Sequence, residues 1–228
     1  MKSKELTAPV YEVFSSYQGE GPYTGMPQTF VRFAGCNIKC DYCDTAYSIK
    51  ISDKAKYYTP DSLLKEIKKL SPKTVSITGG EPLIHLDFLK AFLPKLKKSR
   101  FKVYLETNGT LPASLKKIIN SCDIVSMDFK FPSECHKSFW KEHAEFLETA
   151  GDKAFAKCVI TKNTLMAEIK KSGQIVRSIS KKTYVILQPA AGKDMPSAKT
   201  LSKFYTELNK ILPNAFIMPQ LHKILKIR

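Results

Sequence analysis

Three cysteines lie close together near the start of the sequence, at Cys36, Cys40 and Cys43. Thiolates are soft ligands that select zinc, Cu(I) or iron–sulfur clusters. A structural zinc site needs a fourth Cys or His at similar spacing, and the nearest histidine, His85, is far downstream. A cluster held by three thiolates leaves one iron open to a further ligand. The spacing therefore favours a [4Fe-4S] cluster, with a zinc loop as the alternative.

The other three cysteines, Cys122, Cys135 and Cys158, are spread along the chain. A chain of 228 residues can bury a core large enough to fold without disulfides. We expect these three to be buried thiols rather than ligands.

A second candidate for chemistry is the segment Thr78-Gly79-Gly80-Glu81-Pro82. Two adjacent glycines allow backbone N–H and C=O groups to approach a ligand closely, and Glu81 supplies an anionic acceptor. Such a segment alone is an ordinary turn, so its meaning depends on the elements that place it near the cysteines.

Short apolar runs alternate with segments of helical period, which predicts repeated βα units on a parallel sheet. Six strands are predicted, at 29–34, 74–79, 102–107, 123–129, 154–160 and 183–188. Six helices are predicted, near 60–70, 87–99, 112–120, 137–149, 164–179 and 197–211. This order indicates a curved partial barrel or an open doubly wound sheet, both with right-handed crossovers. The apolar segment 215–219 is either a final strand or a dimer contact.

Both architectures place functional groups at the carboxyl ends of their strands. Distinctive polar segments do follow five of the six predicted strands. They are Gly35-Cys36, Gly79 to Pro82, Glu106 to Gly109, Asp128 to Lys130, and Gln188-Pro189. The cysteine loop and the glycine loop are therefore expected to meet at one edge of the sheet.

Composition narrows the class of protein. No linker or composition break divides the chain, which predicts one domain over 1–228. The sequence has neither a signal peptide nor an apolar stretch long enough to span a membrane, so a cytoplasmic protein without a membrane partner is expected.

The net charge of +16 raises nucleic acid as a partner. Most lysines lie on predicted helix surfaces, however, and no basic stripe interleaved with aromatic residues is present, so we expect no direct nucleic-acid contact.

The cysteine spacing after a first strand, followed by a Gly-Gly-Glu-Pro loop after the second, resembles the radical S-adenosylmethionine superfamily. The resemblance implies an α/β fold, a partial (β/α)6 barrel with the cluster and cofactor site at the carboxyl ends of the strands. It also implies that the open iron binds S-adenosylmethionine. The positions that match cofactor contacts are Gly79, Gly80, Glu81, Asn108, Ser126, Lys130 and Gln188.

Four further segments resemble the 7-carboxy-7-deazaguanine synthase family over essentially the whole chain. They are YEVFSSYQGEGP (11–22), FAGCN (33–37), CDTAY (43–47) and QLHK (220–223). The resemblance implies a ring-contracting lyase that converts 6-carboxy-5,6,7,8-tetrahydropterin to 7-carboxy-7-deazaguanine with loss of ammonia, in queuosine and 7-deazapurine biosynthesis. The cluster and the cofactor radical carry the chemistry.

The same resemblance implies the remaining site residues. Thr45 matches a Mg²⁺ ligand, and the alternative is a turn hydroxyl. The positions that match substrate contacts are Gln18, Gly19, Glu20, Arg32 and His222. Arg32 would bind the substrate carboxylate bidentately, and its alternative is a structural salt bridge.

Partners follow from the resemblance and the charge. A homodimer is expected, together with an acidic electron donor such as flavodoxin or ferredoxin, which Lys39, Lys50 and Lys54 near the cluster loop would contact. Two other functions remain as alternatives. A radical activase of a glycyl-radical enzyme shares the cysteine spacing but not the YQGEG and QLHK segments, and a zinc-containing tRNA-binding protein would be distinguished by its metal.

Overall fold

The computed structural model describes residues 5–227, which form one continuous nine-stranded sheet. The strands are β1 (Ala8–Tyr17), β2 (Pro27–Phe33), β3 (Lys56–Tyr58), β4 (Thr74–Gly79), β5 (Lys102–Thr107), β6 (Ile124–Phe129), β7 (Ala154–Ile160), β8 (Val185–Pro189) and β9 (Ala215–Ile217). Their order is β3-β1-β2-β4-β5-β6-β7-β8-β9. The strands from β2 to β9 run parallel, whereas β1 pairs antiparallel with both β2 and β3. In the described part of the chain, β3 and β9 are opposite edges of the sheet, so the barrel is not closed.

Eight α-helices connect or flank these strands. They are α1 (Pro60–Ile67), α2 (Leu86–Lys98), α3 (Pro112–Ile118), α4 (Pro132–Cys135), α5 (Trp140–Ala150), α6 (Met166–Ile179), α7 (Ala198–Ile211) and α8 (Leu221–Leu225). Thr59 begins α1 by accepting a hydrogen bond from the backbone N–H of Ser62. All six predicted strands and six predicted helices are present, although α5 starts later than expected because α4 precedes it. Among helices formed by residues 5–227, none has the length and apolarity required to cross a membrane.

Five elements of the described chain were not predicted or were left open, namely β1, β3, α4, α8 and β9. β1 was not predicted, because its sequence mixes polar and apolar residues and leads into a glycine-rich segment. It covers the outer side of β2 and has an irregular register between Val10 and Glu12. The segment 215–219 contains a strand, since β9 pairs parallel with β8.

The two faces of the sheet carry different residues because successive side chains of a strand point to opposite faces. One face packs against the helices through buried apolar residues such as Val31, Ile77, Leu105 and Met127. The other face is apolar only towards the amino ends of the strands, where Tyr104, Phe155 and Ile186 cluster. Towards the carboxyl ends this second face becomes polar, with Thr78, Glu106, Asp128, Lys157 and Gln188.

Candidate active site

A cavity of about 440 Å³ opens at the carboxyl ends of the parallel strands. Its volume is in the range of small-molecule sites. Of the predicted site residues it brings together all but Glu81 and Ser126, namely Gln18, Gly19, Glu20, Arg32, Cys36, Cys40, Cys43, Thr45, Gly79, Gly80, Asn108, Lys130, Gln188 and His222. Residues as distant in sequence as Gln18 and His222 therefore share one cavity.

The cysteine loop follows β2 and is held by backbone hydrogen bonds at its base. The N–H of Gly35 donates to the carbonyl of Ser48 at 2.7 Å, and that of Cys36 donates to the carbonyl of Ile49 at 3.0 Å. Cys36, Cys40 and Cys43 are half-buried and all face the cavity. Within residues 5–227 no three Cys, His, Asp or Glu side chains converge on a single-ion site. Three thiolates facing one cavity fit a [4Fe-4S] cluster, in which each thiolate binds a different iron.

The short helix α4 contacts the cysteine loop directly. The Sγ atoms of Cys40 and Cys135 are 3.1 Å apart. Beside them the N–H of Asp41 donates to the carbonyl of Glu134 at 3.1 Å, and the Asp41 carboxylate pairs with His136 at 3.0 Å. Hydrogen bonding by Cys135 lowers the pKa of Cys40 to about 7 and raises that of Cys135. Cys122, Cys135 and Cys158 are buried as predicted, but the contact of Cys135 with a predicted ligand was not foreseen.

The two glycines of the loop after β4 allow it to pack against the cysteine loop. A Cβ on Gly80 would overlap the carbonyl oxygen of Gly35, and Gly79, at φ +138, lies equally close to the backbone of Phe33. The N–H of Glu81 donates to the carbonyl of Gly35 at 2.8 Å. The cysteine loop and the glycine loop therefore form one unit.

Glu81 and Ser126 lie behind the cavity rather than on its wall. The Glu81 carboxylate is fully buried and accepts hydrogen bonds from the N–H groups of Leu83 and Asn108 and from the Thr107 hydroxyl. Burial raises the pKa of Glu81 to about 7. Ser126 is also buried. Cofactor contacts by these two residues stay predictions.

Asn108 occupies the cavity wall beside the first cysteine. Its Nδ2 atom donates to Asn37 at 2.9 Å and lies 3.9 Å from the Cys36 Sγ. Its side-chain oxygen accepts from the hydroxyl of Thr110 at 2.7 Å, which fixes the amide. Behind it, the buried His143 places Nε2 3.1 Å from the Asn108 carbonyl, and burial lowers the pKa of His143 to about 4.

Elsewhere in the lining of the cavity, Glu20 accepts hydrogen bonds from three side chains. Its carboxylate contacts the ammonium of Lys157 and accepts from Gln188 at 3.0 Å and from Gln220 at 2.8 Å. Burial alone would raise the pKa of Glu20, but Lys157 and the hydrogen bonds lower it to about 2. The neighbouring Gln18 donates to Glu106 at 2.8 Å.

Sequence analysis missed the charged residues of the cavity floor, Glu106, Asp128 and Lys157, as site residues. The side chain of each lies on the polar face of its strand, which every second residue of a strand shares. The signal that could have found them is this alternation within otherwise apolar strands, since an isolated Lys inside the segment AFAKCVI needs a buried anion.

Arg32 and His222 complete the outer wall. Nε of Arg32 donates to Glu12 at 3.0 Å, so the salt bridge considered for this residue is present. His222 lies on α8, which docks through a 2.9 Å hydrogen bond from the N–H of Leu221 to the carbonyl of Gly19. Asp44 of the cysteine loop pairs with Lys223 at 3.2 Å. α8 therefore joins the glycine-rich segment after β1 to the cysteine loop.

Comparison with known proteins identifies the family. Residues 30–167 match the model of the radical SAM superfamily. A 7-carboxy-7-deazaguanine synthase from Geobacter sulfurreducens is 35% identical over 96% of this chain and 97% of its own length. The chain belongs to the 7-carboxy-7-deazaguanine synthase family. A second member of that family, from Clostridium acetobutylicum, is 33% identical over 95% of both chains. The family predicted from the motifs is thereby confirmed, and neither the activase nor the zinc protein is supported.

Two solved structures have folds similar to that of this member of the 7-carboxy-7-deazaguanine synthase family. QueE from Escherichia coli matches with a TM-score of 0.68 and 24% identity over 96% of both chains. An archaeal TYW1 matches with a TM-score of 0.58 and 14% identity over 81% of this chain and 72% of its own. The α/β partial barrel predicted from the sequence is confirmed.

Proposed function

We propose that this protein converts 6-carboxy-5,6,7,8-tetrahydropterin to 7-carboxy-7-deazaguanine with loss of ammonia, as a radical S-adenosylmethionine lyase of queuosine and 7-deazapurine biosynthesis. The observation that carries the proposal is the set of side chains that lines the cavity at the carboxyl ends of the strands. The lining combines three thiols with the amide, carboxylate and guanidinium groups of Gln18, Glu20 and Arg32. A cluster-bound cofactor and a polar heterocycle would therefore lie side by side.

At the cofactor end, we assign Cys36, Cys40 and Cys43 to the [4Fe-4S] cluster. When bound, the cluster and S-adenosylmethionine supply the one-electron chemistry that removes hydrogen from the substrate. Gly79, Gly80, Asn108, Lys130 and Gln188 line the adjoining wall and are the proposed cofactor contacts. The Gln188 side-chain oxygen is buried, and no residue from 5 to 227 donates a hydrogen bond to it, which leaves it available to a donor of the cofactor.

At the substrate end, the groups match the edges of a pterin. An ionised Glu20 can accept hydrogen bonds from the amino and ring N–H groups, and Gln18 can pair with an amide edge. The ion pair with Glu12 uses Nε of Arg32 and so orients the guanidinium, whose terminal nitrogens suit a carboxylate. Gly19 has no side chain, so its backbone would lie close to the substrate. The ring of His222 packs against Gly19 on the same side of the cavity.

Thr45 is the proposed Mg²⁺ ligand. It faces the cavity directly after Cys43, and its side chain does not cap the short turn that follows it. This observation supports a ligand role over the alternative of a turn hydroxyl. A hydroxyl is a hard oxygen donor, and substrate oxygens and water would complete the shell around the ion.

The partners are also proposed. An acidic flavodoxin or ferredoxin would deliver the electron near Lys39, Lys50 and Lys54, which are all exposed. We propose a homodimer contact at β9, a proposal supported by the exposure of Phe216 and Ile217 on this edge strand. We place the protein in the cytoplasm.

Anaerobic reconstitution with iron and sulfide, followed by incubation with the pterin, S-adenosylmethionine, Mg²⁺ and a reductant, tests the proposal. We expect a deazapurine product, identified by its mass and ultraviolet spectrum, together with ammonia. The Cys36→Ala variant is the control and should form no product. Cofactor cleavage by the wild type that never yields a deazapurine would contradict the substrate assignment.

A further inference from the structure

Lys157 is a buried cation in the middle of the cavity floor. It lies on β7, opposite Asp128 of β6 in the parallel register, and its residue surface is 4% exposed. Its ammonium contacts the Glu20 carboxylate and lies 3.4 Å from Oδ1 of Asp128. An isolated ammonium at this depth would be costly, so its two carboxylate partners are what retain it in the charged form.

These contacts belong to a longer row of alternating charges. The other oxygen of Asp128 pairs with Nζ of Lys130 at 3.2 Å, and Lys130 donates to the hydroxyl of Tyr42 at 3.2 Å. The row runs from Glu20 through Lys157, Asp128 and Lys130 to Tyr42. It joins the proposed substrate end of the cavity to the loop that carries Cys40 and Cys43.

The depths of Lys157 and Glu20 differ in a way that separates their roles. The Lys157 side chain is 5% exposed, whereas that of Glu20 is 17% exposed. The more exposed Glu20 carboxylate can therefore contact a ligand in the cavity, while the more deeply buried Lys157 holds the carboxylate in place. Gln188 and Gln220 also donate to Glu20, but within the described part of the chain Lys157 is the one charged side chain that hydrogen-bonds its carboxylate. Bonds that involve two ionised partners are the strong ones.

We propose that Lys157 is a positioning residue for the pterin, which holds the Glu20 carboxylate in the orientation that receives the N–H groups of the substrate. This inference rests on the proposed function of the cavity. Lys157 acts through Glu20, so removing the lysine weakens substrate binding without removing a substrate contact. Among the proposed cofactor contacts, Gly79, Gly80 and Asn108 have no ion pair with Lys157 in the described part of the chain, whereas Lys130 shares Asp128 with it.

The test compares Lys157→Met, Lys157→Arg and Glu20→Gln with the wild type in the reconstituted holoenzyme. Isothermal titration calorimetry gives the Kd of the pterin and, separately, that of S-adenosylmethionine. We expect Lys157→Met to weaken pterin binding about 10- to 100-fold, the loss expected for one hydrogen bond to a charged group. Lys157→Arg should restore part of the affinity, and the Kd of S-adenosylmethionine should change less than that of the pterin, because Lys157 reaches the proposed cofactor contact Lys130 only through Asp128. KM for the pterin should rise more than kcat falls.

The double variant Glu20→Gln/Lys157→Met distinguishes a positioning role from a structural one. It removes both charges of the pair, so neither is left buried without its partner and the variant is expected to fold. In the Glu20→Gln background, Lys157→Met should add almost nothing to the loss of pterin affinity. A loss as large as in the wild-type background would overturn the inference, because Lys157 would then act independently of Glu20. So would wild-type pterin affinity in Lys157→Met. A wild type that binds and converts no pterin instead refutes the proposed function.

Discussion

The imidazole ring of His222 packs directly against Gly19, so closely that a Cβ at position 19 would overlap Nδ1 of the ring. Gly19 does not adopt a positive φ, so the backbone itself would accept alanine. The side chain of His222 is the obstacle.

We therefore expect Gly19→Ala to displace His222 and to raise KM for the pterin by roughly tenfold, the effect of losing about one hydrogen bond. In the His222→Ala background the same substitution should cost little, since the ring is gone. Steady-state kinetics of the two single variants and the double variant measure this coupling. Equal effects of Gly19→Ala in both backgrounds would contradict the packing argument.

The 3.1 Å contact between Cys40 and Cys135 predicts an oxidation product of the cluster-free protein. Diamide should take two electrons and two protons from these thiols and join them in a disulfide, which peptide mass mapping would detect. Cys135→Ser should abolish the product. Cys122→Ser and Cys158→Ser are matched controls, because burial raises the pKa of both thiols to about 12 and leaves them unreactive. A disulfide between Cys36 and Cys43 instead would refute this prediction.

The position of Thr45 predicts a metal-dependent defect. Thr45→Ala should lower turnover by weakening Mg²⁺, so that added Mg²⁺ restores part of the rate. Thr45→Ser retains the hydroxyl and is the matched control. Rates measured across a Mg²⁺ titration would give the apparent affinity of each variant. An identical metal requirement in Thr45→Ala and the wild type would remove Thr45 from the ligand set.

Burial of His143 predicts a pH dependence of stability. Its pKa is lowered from 6.5 to about 4 in the folded protein, so the unfolded chain binds the extra proton between these values. The free energy of unfolding should therefore fall as the pH drops from about 6.5 to about 4, by on the order of 3 kcal/mol from this group. In His143→Phe that contribution should be absent. Urea unfolding at pH 7 and pH 5 gives the free energy of unfolding of the wild type and of His143→Phe. An equal loss of this free energy between the two pH values in both proteins would contradict the prediction.

The exposed lysines near the cluster loop predict a salt-sensitive reduction step. Glutamate at Lys39, Lys50 and Lys54 should slow reduction by an acidic flavodoxin at low salt, and the difference should shrink as salt rises. Glutamate at the exposed Lys116, Lys117 and Lys203 is the matched control, with the same charge change on helices α3 and α7. Reduction by dithionite should be equal in all variants. A salt-independent rate with flavodoxin would exclude electrostatic docking.

The regular part of the fold was accessible from sequence because its signals are local. The parallel strands read as apolar runs, and caps such as Thr59 mark helix starts. β1 was not predicted because it lies next to the short edge strand β3, where polar side chains are tolerated. Its pairing with β2 is decided by contacts across the chain.

The site was predictable where residue type alone limits the chemistry, as it does for the three clustered cysteines. It was not predictable where one residue depends on another far away. Cys135 contacts Cys40 across 95 positions, and Lys157 contacts Glu20 across 137. Glu81 shows another dependence that sequence does not reveal, since its carboxylate accepts hydrogen bonds from the N–H groups of Leu83 and Asn108, and its cofactor contact stays a prediction.

The approach of Gly80 to Gly35 has a genetic consequence. A side chain at position 80 would collide with a backbone carbonyl, which every possible residue at position 35 would also carry. No second substitution can remove that obstacle, so revertants of a Gly80 mutant should restore glycine itself. At Gly19 the obstacle is the replaceable ring of His222, so suppressors elsewhere in the chain become possible. Mutations at these two glycines of one cavity therefore differ in whether a second-site substitution can compensate for them.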